Sequence, residues 1–180
     1  MHNIVRTWIA DVLKAHPGVM AIAMRQRAKF EGWLKFALAA HAEESGATDV
    51  AVEAGYEGSQ FRSDVFFAFK GCHHLLELKT PNTNYRMPGV QNMTRPITKN
   101  IADIIKDVEK FRSSHVDGLM AFVLFPVRAG DTQWQRYLQR ISKATGINLS
   151  PTGHCCRVTV ALGAVQFCDA VVCCFPVRAR

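Results

Sequence analysis

Two strand-like runs, 61–69 and 73–80, flank the dipeptide Lys70-Gly71, and no other feature constrains the fold of this 180-residue chain as strongly. Both runs are rich in aromatic and aliphatic residues, and glycine supplies the positive φ that a tight hairpin turn needs. With Lys70 and Gly71 as the turn, Phe69 opposes Cys72, and each step back along one strand matches a step forward along the other. Val65, Phe67, Leu76 and Leu78 then share one face, while Phe66, Ala68 and Leu75 share the other. A hairpin that is apolar on both faces belongs inside a sheet covered on both sides.

The surrounding sequence supplies the covering elements. Ile4, Val5, Trp8, Ile9, Val12 and Leu13 recur at helical spacing over 3–15, and His16-Pro17-Gly18 ends that helix. A second helix is expected over about 19–44, with Phe30, Leu34, Leu38 and His41 in its apolar stripe and Glu31 on the stripe's margin. A short strand over 49–54 precedes the hairpin. A proline-bearing loop over 80–98 follows it, long enough to suggest a functional segment. Thr98 is placed as the cap of a helix to about 112, with Ile101, Ile104, Ile105 and Val108 facing in. A strand over 119–127, a helix over 132–145 and strands over 155–162 and 165–175 complete the chain. The expectation is one domain spanning 1–180: an α/β core over about 19–127, with the 3–15 helix and the 132–177 helix and strands as additions. The pentapeptide Phe125-Pro126-Val127-Arg128-Ala129 recurs from Phe175 to Ala179, too short an echo to make a repeat.

Within the hairpin, the same register sets Asp64 opposite Glu77 and Arg62 opposite Lys79. Directly opposed carboxylates about 5 Å apart at an effective dielectric near 20 repel by roughly 3 kcal/mol. That repulsion must be offset. One carboxylate could stay protonated, Lys79 and Arg62 could neutralise the pair, or a divalent cation could sit between them. Hard carboxylate oxygens suit Mg²⁺ or Mn²⁺. Lys79, on the same face, would lie beside such an ion, where it could orient or help deprotonate a water. Glu31 could add a further carboxylate from the covering helix.

This constellation resembles the PD-(D/E)XK nuclease superfamily, which has the restriction-endonuclease-like fold. Ser63-Asp64 corresponds to its P-D element, with Ser in place of the usual Pro, and Glu77-Leu78-Lys79 to its E-x-K. Glu31 corresponds to the acid often found in the preceding helix. The order helix, three strands, helix, strand over 19–127 follows the family's αβββαβ core with a central mixed sheet flanked by helices. The resemblance implies metal-dependent phosphodiester hydrolysis of endonuclease or exonuclease type. Asp64, Glu77 and the Leu78 carbonyl would be metal ligands, Lys79 the water-positioning group and Glu31 an accessory acid.

The composition agrees with a polyanionic partner. Lys and Arg total 22 against 15 Asp and Glu, a net charge of +7, which suits nucleic acid without choosing DNA over RNA. In and around the 80–98 loop, Asn82, Asn84, Tyr85, Arg86, Gln91, Asn92, Arg95 and Lys99 are side chains of the kind that contact phosphates and base edges. With Arg62 and Lys106 they make the candidate nucleic-acid surface, and Lys99, Lys106 and Lys110 fall along one side of their helix. The six cysteines lack C-x-x-C spacing and read as small apolar residues in a reducing compartment. His73 and His74 point to opposite faces of a strand and are poorly placed to share a metal. Neither a leader pattern nor a membrane-length apolar run is visible, so a cytoplasmic protein without a membrane partner is expected. Two readings follow: a nuclease acting on DNA, alone or as a homo-oligomer, or a nucleic-acid-binding or assembly protein that keeps the fold without turnover.

Overall fold

The computed structural model describes residues 1–55, 62–91, 97–113 and 115–180. Phe61, Asn92 and Arg95 lie outside them. The elements are α1 (His2–Ala15), α2 (Pro17–Gln26), α3 (Glu31–Glu44), β1 (Thr48–Gly55), β2 (Arg62–Phe69), β3 (Cys72–Lys79), α4 (Ile97–Ser113), β4 (Gly118–Val127), α5 (Gln135–Thr145), α6 (Pro151–His154), β5 (Cys155–Ala161) and β6 (Phe167–Val177). Six strands form one sheet in the order β1-β2-β3-β4-β6-β5. Every neighbouring pair is antiparallel except β3 and β4, which α4 joins in parallel. The architecture is mixed α/β, a mostly antiparallel sheet flanked by helices.

Strand periodicity explains the layers. Along β4, Leu119, Ala121, Val123 and Phe125 enter the core beneath α1–α3, and Met120, Phe122 and Leu124 enter the core beneath α4 and α5. On β3, Leu76 and Leu78 face the first layer and Leu75 the second. Lys70 and Gly71 both have positive φ, 52° and 76°, as a tight two-residue turn requires. The hairpin pairs as the sequence indicates, from Phe69 with Cys72 to Val65 with Leu76. His73 contacts the ring of Phe66 and His74 that of Phe67, so the two histidines do face opposite ways.

Several boundaries differ from expectation, and α6 was not expected at all. The helix expected over 19–44 is two helices: Pro17 opens α2 at a position where its missing N–H costs nothing, and the chain breaks at Arg27, which is left-handed at φ 49°. The cause lies in the side chain, which turns inward, is 2% exposed and donates to the carbonyls of Thr83 and Tyr85. Glu31 therefore begins α3 instead of sitting in mid-helix. Thr98 lies inside α4, which starts at Ile97, so it is not the cap. β6 runs on through Pro176 to Val177, because β4 offers partners as far as Gly118. All six cysteines are free; Cys155, Cys168, Cys173 and Cys174 are buried, but Cys72, at the hairpin turn, is exposed. Among the described residues, no helix is long and apolar enough to cross a membrane.

Candidate functional site

The carboxyl end of β3 carries the charged residues that interrupt its apolar run. Glu77 is 7% exposed, and Lys79 follows it on the same face. The Lys79 ammonium lies 3.1 Å from Glu77 Oε1, 3.4 Å from Asp107 Oδ2, 3.6 Å from Glu31 Oε1 and 4.0 Å from Asp64 Oδ2. It also donates to the Leu78 carbonyl at 3.0 Å. Four carboxylates from α3, β2, β3 and α4 thus surround one cation, and both helical layers contribute.

Two of the acids are held by main-chain N–H groups. Beyond Val65 and Leu76 the β2–β3 ladder gives way to a side-chain bond, in which the Leu78 N–H donates to Asp64 Oδ2 at 2.8 Å. The expected backbone pairing of Asp64 with Glu77 is therefore absent. Strand β2 continues alongside β1 instead, through Ser63 with Ala54 and Arg62 with Gly55, and Arg62 does not oppose Lys79. The other Asp64 oxygen lies 3.3 Å from Lys35, one turn after Glu31 on α3. Lys35 also bridges to Glu53 of β1 at 2.7 Å. Glu31 Oε2 accepts from the Thr80 N–H at 3.3 Å, which fixes the start of α3 against the end of β3.

The electrostatics follow from this crowding. Burial, joined by the charges of Asp64 and Asp107, pushes the Glu77 carboxyl up to about 7 although Lys79 pulls the other way. For Lys79, burial alone would favour the neutral amine. The charges of Glu77, Glu31, Asp107 and Asp64 outweigh that and hold the ammonium well above its ordinary range. Glu77 Oε2 and Ser63 Oγ are buried without a hydrogen-bond partner, and Asp107 Oδ2 meets Lys79 without hydrogen-bond geometry.

Two cavities flank the cluster. One of about 550 Å³ is lined, among the described residues, by charged ones only, including Lys29, Glu31, Lys79, Lys106, Asp107 and Lys110. The other, of about 210 Å³, lies on the β1–β2 side between Glu53, Arg62, Ser63, Asp64 and Glu77. Of the residues expected to meet nucleic acid, Arg62 borders the smaller cavity and donates to the Glu53 carbonyl. Lys106 borders the larger. Asn84, Arg86 and Lys99 are exposed on the loop and the first turn of α4, outside both linings.

Asp107, Lys35 and Lys29 were not singled out from sequence. Asp107 lies between Ile104 and Val108 of the buried α4 stripe, the same marginal position that made Glu31 a candidate. Among the described residues, no three of His, Cys, Asp and Glu are grouped as a ready-made metal cage. No family model, no curated protein and no solved structure matches this chain.

Proposed function

We propose that the protein is a divalent-metal-dependent phosphodiesterase of nucleic acid, with DNA as the expected substrate, built on a restriction-endonuclease-like core. The observation that carries this reading is the ring of four carboxylates and one carbonyl within 4.0 Å of the Lys79 ammonium. The element order α3, β1, β2, β3, α4, β4, with β3 and β4 parallel, is consistent with that core.

The donor chemistry fits Mg²⁺ or Mn²⁺. Asp64, Glu77 and the Leu78 carbonyl offer hard oxygens, and Glu77 Oε2 is a buried acceptor with nothing to accept. These three groups would hold the ion, which when bound polarises the scissile phosphate and acidifies a coordinated water. Lys79 stays charged in this environment, so its part is to orient the water and stabilise developing negative charge; a protonated amine has no lone pair with which to act as a base. Glu31, anchored on the Thr80 N–H, keeps Lys79 pointed into the site.

One observation favours the second class of function, a non-catalytic binding or assembly protein: Lys79 and Lys35 already pair with these acids in a self-contained ion cluster. Cleavage of plasmid and single-stranded DNA with Mg²⁺, Mn²⁺ or EDTA, by wild type and Lys79→Ala together, separates the two. Metal-dependent cleavage lost in the variant is expected. Activity that survives EDTA, or equal cleavage by both proteins, sinks the mechanism. A gel shift without cleavage selects the binding protein.

A further inference from the structure

A cavity of about 340 Å³ beside the candidate site has no part in the chemistry above. Gln26, Arg27, Lys29, Asn82, Thr83 and Asn100 line it. Arg27 is a buried cation whose two terminal nitrogens meet only main-chain carbonyls. Among the described residues, no carboxylate lies within ion-pairing distance of it. Two polar atoms of residues in this wall are buried and unpartnered: Arg27 Nε, a donor, and Asn82 Oδ1, an acceptor. In native proteins such atoms almost always meet a partner, whether a protein group, an ion or an ordered water. The first turn of α4, the positive end of its helix, supplies Asn100, which donates to the Asn82 carbonyl. Lys29 is exposed and also lines the cavity around Lys79 and Asp107, so the two spaces share a wall.

We propose that this cavity is a phosphate-binding subsite, which holds a phosphate of the substrate strand next to the one at Lys79. The inference rests on the phosphodiesterase reading for the identity of its ligand. An oxyanion would offset the unpaired charge of Arg27 and bring Lys29 over it. A phosphate at a strand end suits the wall better than an internal diester. A monoester at a strand end carries about −1.5 to −2 charge near pH 7, more than the roughly single charge of an internal diester, so Arg27 and Lys29 meet more charge there.

The test measures binding in EDTA, so that no cleavage is needed. The probes are inorganic phosphate and a short single-stranded oligonucleotide bearing a 5′-phosphate, a 3′-phosphate or only hydroxyl ends. The proteins are the full chain, Lys29→Ala, Asn100→Asp and Arg27→Lys. A terminal phosphate is expected to tighten binding about tenfold, and Lys29→Ala and Asn100→Asp to remove most of that gain. Inorganic phosphate should raise the melting temperature of wild type but not of these variants. If all three oligonucleotides bind alike and both variants weaken them equally, the phosphate held is an internal one. If neither variant changes any affinity and phosphate does not stabilise wild type, the subsite is overturned and the cavity holds water. Arg27→Lys could fail to fold, but Lys29 is exposed and Asn100 half-buried, and their variants keep the test decisive. Phosphate binding without metal-dependent cleavage would refute the nuclease alone; cleavage without phosphate binding would refute the subsite alone.

Discussion

Replacing Glu77 by Gln should make this protein more stable at alkaline pH while removing the proposed metal-dependent cleavage. Glu77 is 7% exposed, and its carboxyl is raised from 4.5 to about 7 by burial and by Asp64 and Asp107. Folded Glu77 therefore binds its proton more tightly than unfolded Glu77. Below pH 4.5 both states are protonated and nothing is lost. Between pH 4.5 and 7 the unfolded chain ionises first, and stability falls as pH rises. Above pH 7 both states are ionised, and the gap between 4.5 and about 7 amounts to about 3 kcal/mol withheld from the fold. Glutamine keeps the shape without the charge, so Glu77→Gln should gain up to about 3 kcal/mol at pH 8.5 and almost nothing at pH 4.5. In a chain of this size that is roughly 5–10 °C in melting temperature. Thermal and denaturant unfolding at pH 4.5, 7 and 8.5, free of divalent ions, would read it. A variant that melts at or below wild type at pH 8.5, or an offset that does not change with pH, would refute the reasoning.

Three further outcomes are expected. Mg²⁺ should raise the melting temperature of wild type more at pH 8 than at pH 5.5, since it competes with the proton on Glu77, and should do little for Asp64→Asn; calorimetry with and without the ion checks this. Asp107→Asn removes one charge that raises Glu77, so the acid limb of the pH–rate profile should move to lower pH with folding intact; an unmoved limb would exclude Asp107 from the site. Gly118→Ala would set a Cβ 2.2 Å from Phe111 Cε1, which should cost about 1–3 kcal/mol by overpacking while leaving metal dependence unchanged, as chemical denaturation would show.

The hairpin was legible because its information is local. Alternation along 61–80 assigns the faces, and Lys70-Gly71 fixes the register, so Phe69 with Cys72 through Val65 with Leu76 follow without knowledge of any other element. The same rule could not see where the ladder ends. A pairing rule continues to Asp64 and Glu77, but in the folded chain β2 stays with β1 while β3 stays with β4, and the Asp64 carboxylate takes the Leu78 N–H. The break at Arg27 was hidden for a related reason. The residues around it suit a continuous helix, and the buried Met24, Arg27 and Phe30 keep a helix-like spacing. What stops the helix is a guanidinium that reaches carbonyls of the distant segment after β3.

The sequence by itself determined the repeat of apolar side chains in each strand and helix, the turn between β2 and β3, and the presence of Asp64, Glu77 and Lys79 near one strand end. Those properties depend on backbone periodicity and on neighbours a few residues away. Only the tertiary structure decided which acids meet Lys79. Asp107 arrives because α4 returns across the sheet to make β4 parallel to β3, Glu31 because α2 breaks and lets α3 start against Thr80, and Lys35 because it follows Glu31 by one turn. Coulomb interaction acts through space and is indifferent to sequence separation, so the charge cluster comes into being only once the layers are packed.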